Sequence, residues 1–291
     1  MSVFSCRSCN YSAPTQWEGR CPGCRGLYRA QKIGVESKEQ KNRSSFAAAA
    51  VSTKVYIPTG VKGFDHVLGG GLVAGSPILL AGFRGSGKST LLCMVADGVA
   101  KAKGRSLYAS SEESVDGVVS IAYRLKLLND SVDVLGNQVN VEDVIAHAKA
   151  TKPFLTIFDS LQKYTSSRSG GSAGSLAQEH AVGEAILKYC RESKTCAIIT
   201  NQMAKSGEVK GSTDAAHSVD TILLLGFPKT DDEDAPDEEG IRLLLCDGKN
   251  RNGNENGRAF YRMTTEGMLE EVEQRSKLLE FPGRGKYSRR D

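Results

Sequence analysis

Apolar runs separated by glycine-rich turns and helical patterns fill the chain from Thr59 onward. This alternation is typical of a mostly parallel sheet with crossover helices. It predicts five such strands, at residues 77–81, 106–110, 154–158, 196–200 and 221–225. Antiparallel additions are predicted at 241–246 and 259–263. Helices are predicted after the first two strands and before the third and fourth, with 176–192 showing helical spacing of its apolar residues.

The charge of the chain is unevenly distributed although its formal net value is only +4. Both ends are basic and the long middle part is acidic overall, so any nucleic-acid surface must be local. Residues 231–239 hold seven acids, which we interpret as a solvated hairpin tip. Because no apolar stretch could cross a bilayer and the start lacks a secretion signal, we expect a cytoplasmic protein without a membrane partner.

Four of the eight cysteines form two closely spaced pairs, Cys6 with Cys9 and Cys21 with Cys24. Two such pairs suit a tetrahedral site for Zn2+, and four thiolates leave no open position for catalysis. The metal is therefore expected to be structural, in a zinc module at 1–33 followed by a linker at 34–56. Arginines of the module and Trp17 could contact DNA or dock on the following domain, and both alternatives stay open. The other cysteines lie in apolar runs and are expected to be buried.

A glycine-rich segment, GFRGSGKST, follows the first predicted strand and opens a helix. This is the P-loop pattern in the context that it requires, and it predicts ATP and Mg2+ as cofactors. Backbone N–H groups and the helix amino terminus would bind phosphate, Lys88 would reach the β and γ oxygens, and Ser89 would hold Mg2+. The predicted nucleotide contacts are Gly82, Phe83, Arg84, Gly85, Ser86, Gly87, Lys88, Ser89 and Thr90.

Polar residues end three further predicted strands, at the edge where open α/β sheets bind ligands. Asp159 occupies the usual place of the acid that orients Mg2+. Glu112 and Glu113 follow the second strand, and one of them, Glu112 by preference, should polarise the attacking water. Gln202, beside Asn201, could sense the γ-phosphate. Each of these also has a purely structural interpretation, as a cap or as a partner of local backbone groups.

Taken together, these motifs resemble the RadA/Sms family of bacterial recombination ATPases. WEGRCPGC, TGVKGFDHVLGGGLVAGS, the P-loop, SSEES, FDS and KNRNG occur in the family's order. The resemblance implies a RecA-like α/β ATPase domain, at 57–273 in this chain, and a hexameric homo-oligomer. It further implies a DNA-stimulated ATPase that moves along single-stranded or branched DNA, with a recombinase or a single-strand-binding protein as further partners.

The family signature KNRFG is thought to act across the subunit interface. By resemblance, Lys249 and Arg251 would act at a neighbour's γ-phosphate, although Arg251 could also be an exposed charge in a hairpin. This chain departs from the signature at Asn252, where the family has phenylalanine. After residue 273 it carries a short basic tail, 274–291, where family members usually carry a Lon-protease-like domain.

Two predicted loops follow the third and fourth strands, and in RecA-like rings the corresponding loops line the central channel. Arg168 lies in the first, and Lys205 and Lys210 lie in the second. These side chains could neutralise DNA phosphates, or the loops could carry incidental surface charge.

The favoured function is a DNA-dependent ATPase and 5′ to 3′ translocase or helicase in recombination or replication. An ATP-switched DNA-binding filament or scaffold without unwinding activity is the main alternative. A third hypothesis is a self-phosphorylating ATPase like the clock-type kinases, which also carry paired glutamates.

Overall fold

The computed structural model describes residues 3–6, 12–13, 19–26, 31–33, 54–203, 218–229, 232, 234–236 and 238–273. The chain separates into two units, Met1–Lys54 and Val55–Asp291. No helix among the described residues is long and apolar enough to cross a membrane. The boundaries predicted for the linker and the basic tail stay predictions, because most of the linker and the whole tail lie outside the described residues.

The amino-terminal unit contains a small antiparallel sheet with the order β2-β1-β3. Its strands are β1 (Val3–Ser5), β2 (Ser12–Ala13) and β3 (Gln31–Ile33). A tight turn lies between β2 and β3. The Arg25 N–H donates to the Cys21 carbonyl at 2.8 Å, and the Cys21 N–H donates to the Gly26 carbonyl at 2.9 Å.

The second unit is built on a nine-stranded sheet, preceded by the pair β4 (Tyr56–Ile57) and β5 (Leu72–Val73). Its strands are β6 (Pro77–Gly82), β7 (Ser106–Ser110), β8 (Val132–Leu135), β9 (Leu155–Asp159), β10 (Cys196–Gln202), β11 (Thr221–Gly226), β12 (Ile241–Asn250), β13 (Arg258–Met263) and β14 (Leu269–Val272). Their order is β14-β13-β12-β11-β6-β10-β9-β7-β8.

The six strands from β11 to β8 are mutually parallel, and β12, β13 and β14 add to them in antiparallel fashion. The predicted mixed sheet is therefore confirmed. Every strand predicted from the apolar runs is present, with its ends moved by a few residues. Two strands of this sheet, β8 and β14, were not predicted, because they are four residues long and only partly buried and give no strong apolar run.

Five α-helices whose bounds lie within the described residues accompany the sheet: α1 (Lys62–Leu68), α2 (Lys88–Lys103), α3 (Val115–Arg124), α4 (Val141–Thr151) and α5 (Leu176–Ser193). The last four stand where the sequence predicted them, and α1 was not predicted. Side-chain caps fix two starts, because the Ser114 hydroxyl accepts the Gly117 N–H at 3.1 Å and Asn140 accepts the Asp143 N–H at 3.2 Å.

The sheet separates two apolar cores. On one face Ile78 and Leu80 of β6 pack with Val95 of α2, and on the other Leu79 packs with Val182 of α5. Burial on both faces explains why these strands are continuously apolar rather than alternating. The cysteines of the second unit are buried as expected, and burial raises the pKa of the Cys93 thiol to about 12.

The acidic stretch 231–239 differs from its prediction. Asp232 and Asp234 pair with Arg258 of β13 at 2.5 and 3.0 Å, and Glu238 pairs with Arg262 at 2.9 Å. The side chain of Asp232 is only 14% exposed. The interpretation as a solvated tip is therefore wrong for Asp232 and Asp234, because Arg258 of β13 pairs with both.

Candidate functional site

The P-loop connects the end of β6 to the start of α2. Gly85 and Gly87 adopt φ values of 79° and 99°, the left-handed region that favours glycine. A Cβ on Gly82 would lie 2.3 Å from the Leu225 carbonyl oxygen, so no other residue fits there. The glycines at 82, 85 and 87 are thus required by the backbone path of the loop.

Lys88 begins α2 and its side chain folds back over the loop. Its ammonium donates to the carbonyls of Gly82 and Phe83, both at 2.9 Å. Burial lowers the pKa of Lys88, while the nearby carboxylates of Asp159 and Glu112 raise it. The positive charge is therefore held inside the site between the loop carbonyls and two acids.

A cavity of about 460 Å³ opens in front of the P-loop. This volume lies within the range of small-molecule sites. Its lining residues are Arg84, Gly85, Gly87, Lys88, Ser89, Thr90, Glu112, Glu113, Arg124, Asp159, Ser160, Gln202, Met263 and Gly267. Of the predicted contacts, Gly82, Phe83 and Ser86 do not line it. Ser86 is fully buried, and its hydroxyl has no hydrogen-bond partner among the described residues.

Asp159 ends β9 and is held from both sides by hydroxyl groups. Tyr108 of β7 donates to Oδ2 at 2.7 Å, and Thr200 of β10 donates to Oδ1 at 2.6 Å. Burial, reinforced by the charge of Asp159, raises the pKa of Tyr108 well above its ordinary value, so the phenol stays a donor. The carboxylate is therefore fixed in orientation and 9% exposed at the floor of the cavity.

Glu112 and Glu113 both line the cavity, but they have different partners. Ser160 donates a short hydrogen bond to Glu112 Oε1, and the Gln202 amide donates to the same oxygen at 3.3 Å. The Glu113 carboxylate instead lies on the α3 side, 2.9 Å from the place of a Cβ on Gly117. The structure therefore joins Glu112, Ser160 and Gln202 across the ends of three strands.

Lys249 and Arg251 do not line this cavity. They belong to the segment 249–253, which we call the KNRNG loop, at the end of β12. The Arg251 guanidinium pairs with Asp220 at 3.2 Å, and the Asp220 N–H donates to the Pro77 carbonyl at 2.9 Å. Pro77 starts β6, whereas the P-loop follows the end of that strand. The loop thus lies at the opposite edge of the sheet from the cavity of its own chain.

Asn252, where this chain departs from the KNRFG signature, is half-buried and hydrogen-bonded. Its side-chain amide donates to the Ser76 hydroxyl at 2.6 Å, and its backbone carbonyl accepts a short hydrogen bond from the Tyr56 phenol. Polar contacts to the start of the sheet hold the position that a phenylalanine ring would fill by packing.

The predicted DNA-contacting residues are only partly described. Arg168 follows β9, is 64% exposed and lies 3.9 Å from Glu142. Lys205 and Lys210 lie outside the described residues, so their placement stays a prediction. The loop that carries Arg168 is at the carboxyl edge of the sheet, on the same edge as the cavity.

Several residues of the cavity were missed by the sequence analysis. Arg124 closes α3, and a Cβ on Gly267 would lie 2.8 Å from its guanidinium. The Met263 methyl group lies 3.0 Å from the place of a Cβ on Gly87. Arg124, Met263 and Gly267 reach the P-loop from distant parts of the chain, so no local motif signals them. The same is true of Tyr108 and Thr200.

Three of the four predicted zinc ligands are described, and they converge. The sulfur atoms of Cys6, Cys21 and Cys24 lie within 4.8 Å of one another, with Cys6 and Cys24 at 3.9 Å. Tetrahedral Zn2+ with Zn–S bonds of about 2.3 Å places sulfurs about 3.8 Å apart. The Gly23 N–H donates to Cys21 Sγ at 3.3 Å, a contact that would stabilise a thiolate. This geometry fits zinc, and Cys9 lies outside the described residues.

Comparison with known proteins places the chain in a family. A model of the KaiC ATPase family matches residues 57–268, so the chain belongs to that family. It is also similar to the DNA repair protein RadA of Aquifex aeolicus, with 34% identity over 93% of this chain and 60% of the relative. For RadA of Bacillus subtilis the values are 29%, 92% and 59%. The predicted resemblance to RadA is confirmed, and the chain spans about three fifths of these relatives.

A solved structure supports the fold. The KaiC-like protein PH0186 from Pyrococcus horikoshii OT3 matches with a TM-score of 0.58 at 16% identity. The match covers 75% of this chain and all of that chain. Together with the family match, it confirms the RecA-like α/β ATPase fold of the second unit.

Proposed function

We propose that this chain is a DNA-dependent ATPase that works as a translocase or helicase in DNA recombination or repair. One observation carries the proposal: a single cavity brings Lys88, Ser89, Asp159 and Glu112 together in a chain similar to proteins named for DNA repair. This constellation supplies the phosphate-binding, Mg2+-binding and water-positioning groups of a P-loop ATPase.

The cavity residues divide the reaction among them. The P-loop backbone and Lys88 would bind the β- and γ-phosphates, and Ser89 with Asp159 would hold Mg2+, which supplies neutralisation of phosphate charge. Tyr108 and Thr200 keep the Asp159 carboxylate aimed at that position. Glu112 would take the proton of the attacking water. Gln202, which donates to Glu112, would report the state of the site to the segment that follows β10.

Lys249 and Arg251 complete the site only in an oligomer. From Pro77 to Gly82, β6 spans roughly 16 Å at about 3.3 Å per residue, so the KNRNG loop is remote from its own P-loop. In a ring of copies of this chain, a hexamer by the family resemblance, the loop of one subunit would face the nucleotide of the next. An arginine supplied in this way stabilises the charge that develops in phosphoryl transfer.

DNA contacts are assigned to the loops that follow β9 and β10. Arg168, Lys205 and Lys210 would neutralise phosphates of single-stranded or branched DNA at the edge where ATP is hydrolysed. The four amino-terminal cysteines would bind one structural Zn2+. A 5′ to 3′ polarity, a recombinase or single-strand-binding protein as partner, and cytoplasmic location complete the proposal.

The test is ATP hydrolysis by zinc-loaded protein, with and without single-stranded DNA. The wild type should hydrolyse ATP faster with DNA, and Lys88→Ala should be inactive in both conditions. If the rate of ATP hydrolysis is the same with and without DNA, the proposal that the ATPase depends on DNA is wrong. Displacement of a strand from a forked DNA then separates the alternatives, because an ATP-switched scaffold would show stimulated hydrolysis without unwinding. Phosphate on the chain's own serines or threonines would instead favour a kinase-like activity.

A further inference from the structure

A concave basic surface lies at the edge of the sheet opposite the nucleotide cavity. It is formed at the amino ends of β7, β9 and β10, where the preceding helices or loops end, and encloses about 700 Å³. We call it the basic groove. Its cationic lining residues are Lys103, Arg105, Lys149, Lys152 and Lys194.

Of the five cationic side chains in this groove, Arg105 has an ion pair and the four lysines have none among the described residues. Arg105 is engaged by Asp133, with its guanidinium 2.8 and 3.0 Å from the two carboxylate oxygens. The four lysines are exposed. Among residues 54–203, 218–229 and the other described parts of the chain, no carboxylate pairs with any of them. Four ammonium groups thus face one concavity without a described counter-charge.

Two of these lysines occupy backbone positions that favour glycine. Lys152 follows α4 with φ 51°, and Lys194 follows α5 with φ 58°. A left-handed residue after a helix is usually glycine, because a Cβ is strained there. Attraction to the helix dipole is available to a lysine in the last turn without this strain, as at Lys149. The helix ends alone therefore do not account for lysine at both positions.

The chemistry of the groove favours a polyanion with regularly repeated charge. Interfaces between proteins depend on buried aromatic or other large anchors. Phe154 lines this groove, but it is only partly exposed and packs against the core of the sheet, and none of the large hydrophobic residues described as exposed lies there. Four exposed lysines around one partly buried ring instead match sequence-independent contact with phosphates.

We propose that the basic groove binds the phosphate backbone of a second DNA segment, on the edge of the sheet opposite the loops after β9 and β10. This inference rests on the proposed function, because it assigns a further surface to the same DNA. A branched DNA could then be held by one arm at those loops and by another arm at the groove, which lets one subunit contact both sides of a junction.

The strained positions provide a test that preserves the fold. Lys152→Gly and Lys194→Gly each remove one charge and relieve a left-handed lysine, so neither should destabilise the protein. Lys126→Gly is the matched control. Lys126 also has a left-handed φ of 57°, its substitution removes the same charge, and it does not line the groove. Thermal unfolding should show that all three variants remain folded.

Binding of a forked DNA is measured by fluorescence anisotropy over a series of salt concentrations. Each groove variant should bind several-fold more weakly than wild type. The slope of log K against log salt should fall by about 0.9 per lost contact to duplex, or about 0.7 to a single strand. The Lys126→Gly variant should keep the wild-type slope.

The outcomes separate the two proposals. Wild-type protein that neither binds DNA nor responds to it in ATP hydrolysis would overturn the proposed function and the groove together. If the wild type responds but the groove variants match Lys126→Gly in affinity and slope, only the groove proposal fails. The same holds if Lys126→Gly loses as much affinity as they do, because the loss would then reflect total charge.

Discussion

The two edges of the nine-stranded sheet are organised in different ways. At the carboxyl edge, Lys88, Asp159 and Glu112 are each held by hydrogen bonds from the same chain. At the amino edge, the KNRNG loop is anchored by its backbone and amides, while Arg251 stays 59% exposed beside Asp220. One edge resembles a finished binding site, and the other presents cations outward. One chain thus builds the nucleotide site at one edge, and under the proposed roles the cations of the other edge would serve a second copy.

The largest effect is expected from Arg251→Ala. If Arg251 acts on a neighbour's nucleotide, its loss should lower the rate of ATP hydrolysis by about 10³-fold or more. An equimolar mixture with Lys88→Ala should regain part of the activity, because some interfaces then join an intact P-loop to an intact arginine. Arg262→Ala removes a half-exposed arginine of β13 that pairs with Glu238 and Glu270, and should be nearly neutral. Full activity of Arg251→Ala would show that Arg251 is not needed at a neighbour's nucleotide.

A second test compares the paired glutamates. Glu112→Gln should slow ATP hydrolysis by about 10²- to 10⁴-fold, because it removes the general base and leaves the shape of the side chain. Glu113→Gln should cost less than about tenfold, since Glu113 has no described hydrogen bond to Ser160 or Gln202. Steady-state rates at saturating ATP decide it. The reverse ranking would assign the base to Glu113.

The third prediction concerns the hydroxyl groups that hold Asp159. Tyr108→Phe removes a buried donor to a carboxylate and should lower the free energy of unfolding by about 1.5–3 kcal/mol. Tyr189→Phe is the control, because that buried phenol lies 3.1 Å from the Thr156 hydroxyl, a neutral partner. Its cost should be about 0.5–1.5 kcal/mol. Urea unfolding of both variants measures the difference, and equal losses would show that the charge of Asp159 adds nothing.

The smallest effect is expected at Asn252. A double-mutant cycle of Asn252→Ala and Ser76→Ala should give a coupling of about 1 kcal/mol in the free energy of unfolding, the usual value of one neutral hydrogen bond. Additive single losses would mean that the 2.6 Å contact does not hold the KNRNG loop.

The sequence predicted those parts of the site that depend on local pattern. Each of these parts is visible in the sequence because glycines or acidic residues directly follow an apolar strand segment. This holds for the P-loop, for Asp159 and for the paired glutamates. The fold was equally accessible, because strands buried on both faces leave continuous apolar segments.

The remaining features depend on residues that are distant in sequence. In the sequence, nothing distinguishes Tyr108 and Thr200 from other strand residues. Their hydroxyls reach Asp159 only because β7 and β10 both pair with β9. The pairing of Asp232 with Arg258 likewise joins a residue that follows β11 to a residue of β13. Strand order and register are not encoded in a local motif, so these contacts were not predictable.

The hydrogen bond from Gln202 to Glu112 has a consequence for timing. An oxygen of Glu112 that accepts from both Ser160 and Gln202 is less available to a water molecule. Under the proposed roles, the hydrogen bond from Gln202 to Glu112 must break before Glu112 can accept a proton from water. The glutamine is the last residue of β10, so its release would pull on the segment that follows. The release of Glu112 and the movement of that segment would then occur together. Each hydrolysis of ATP would therefore be coupled to one movement of the segment.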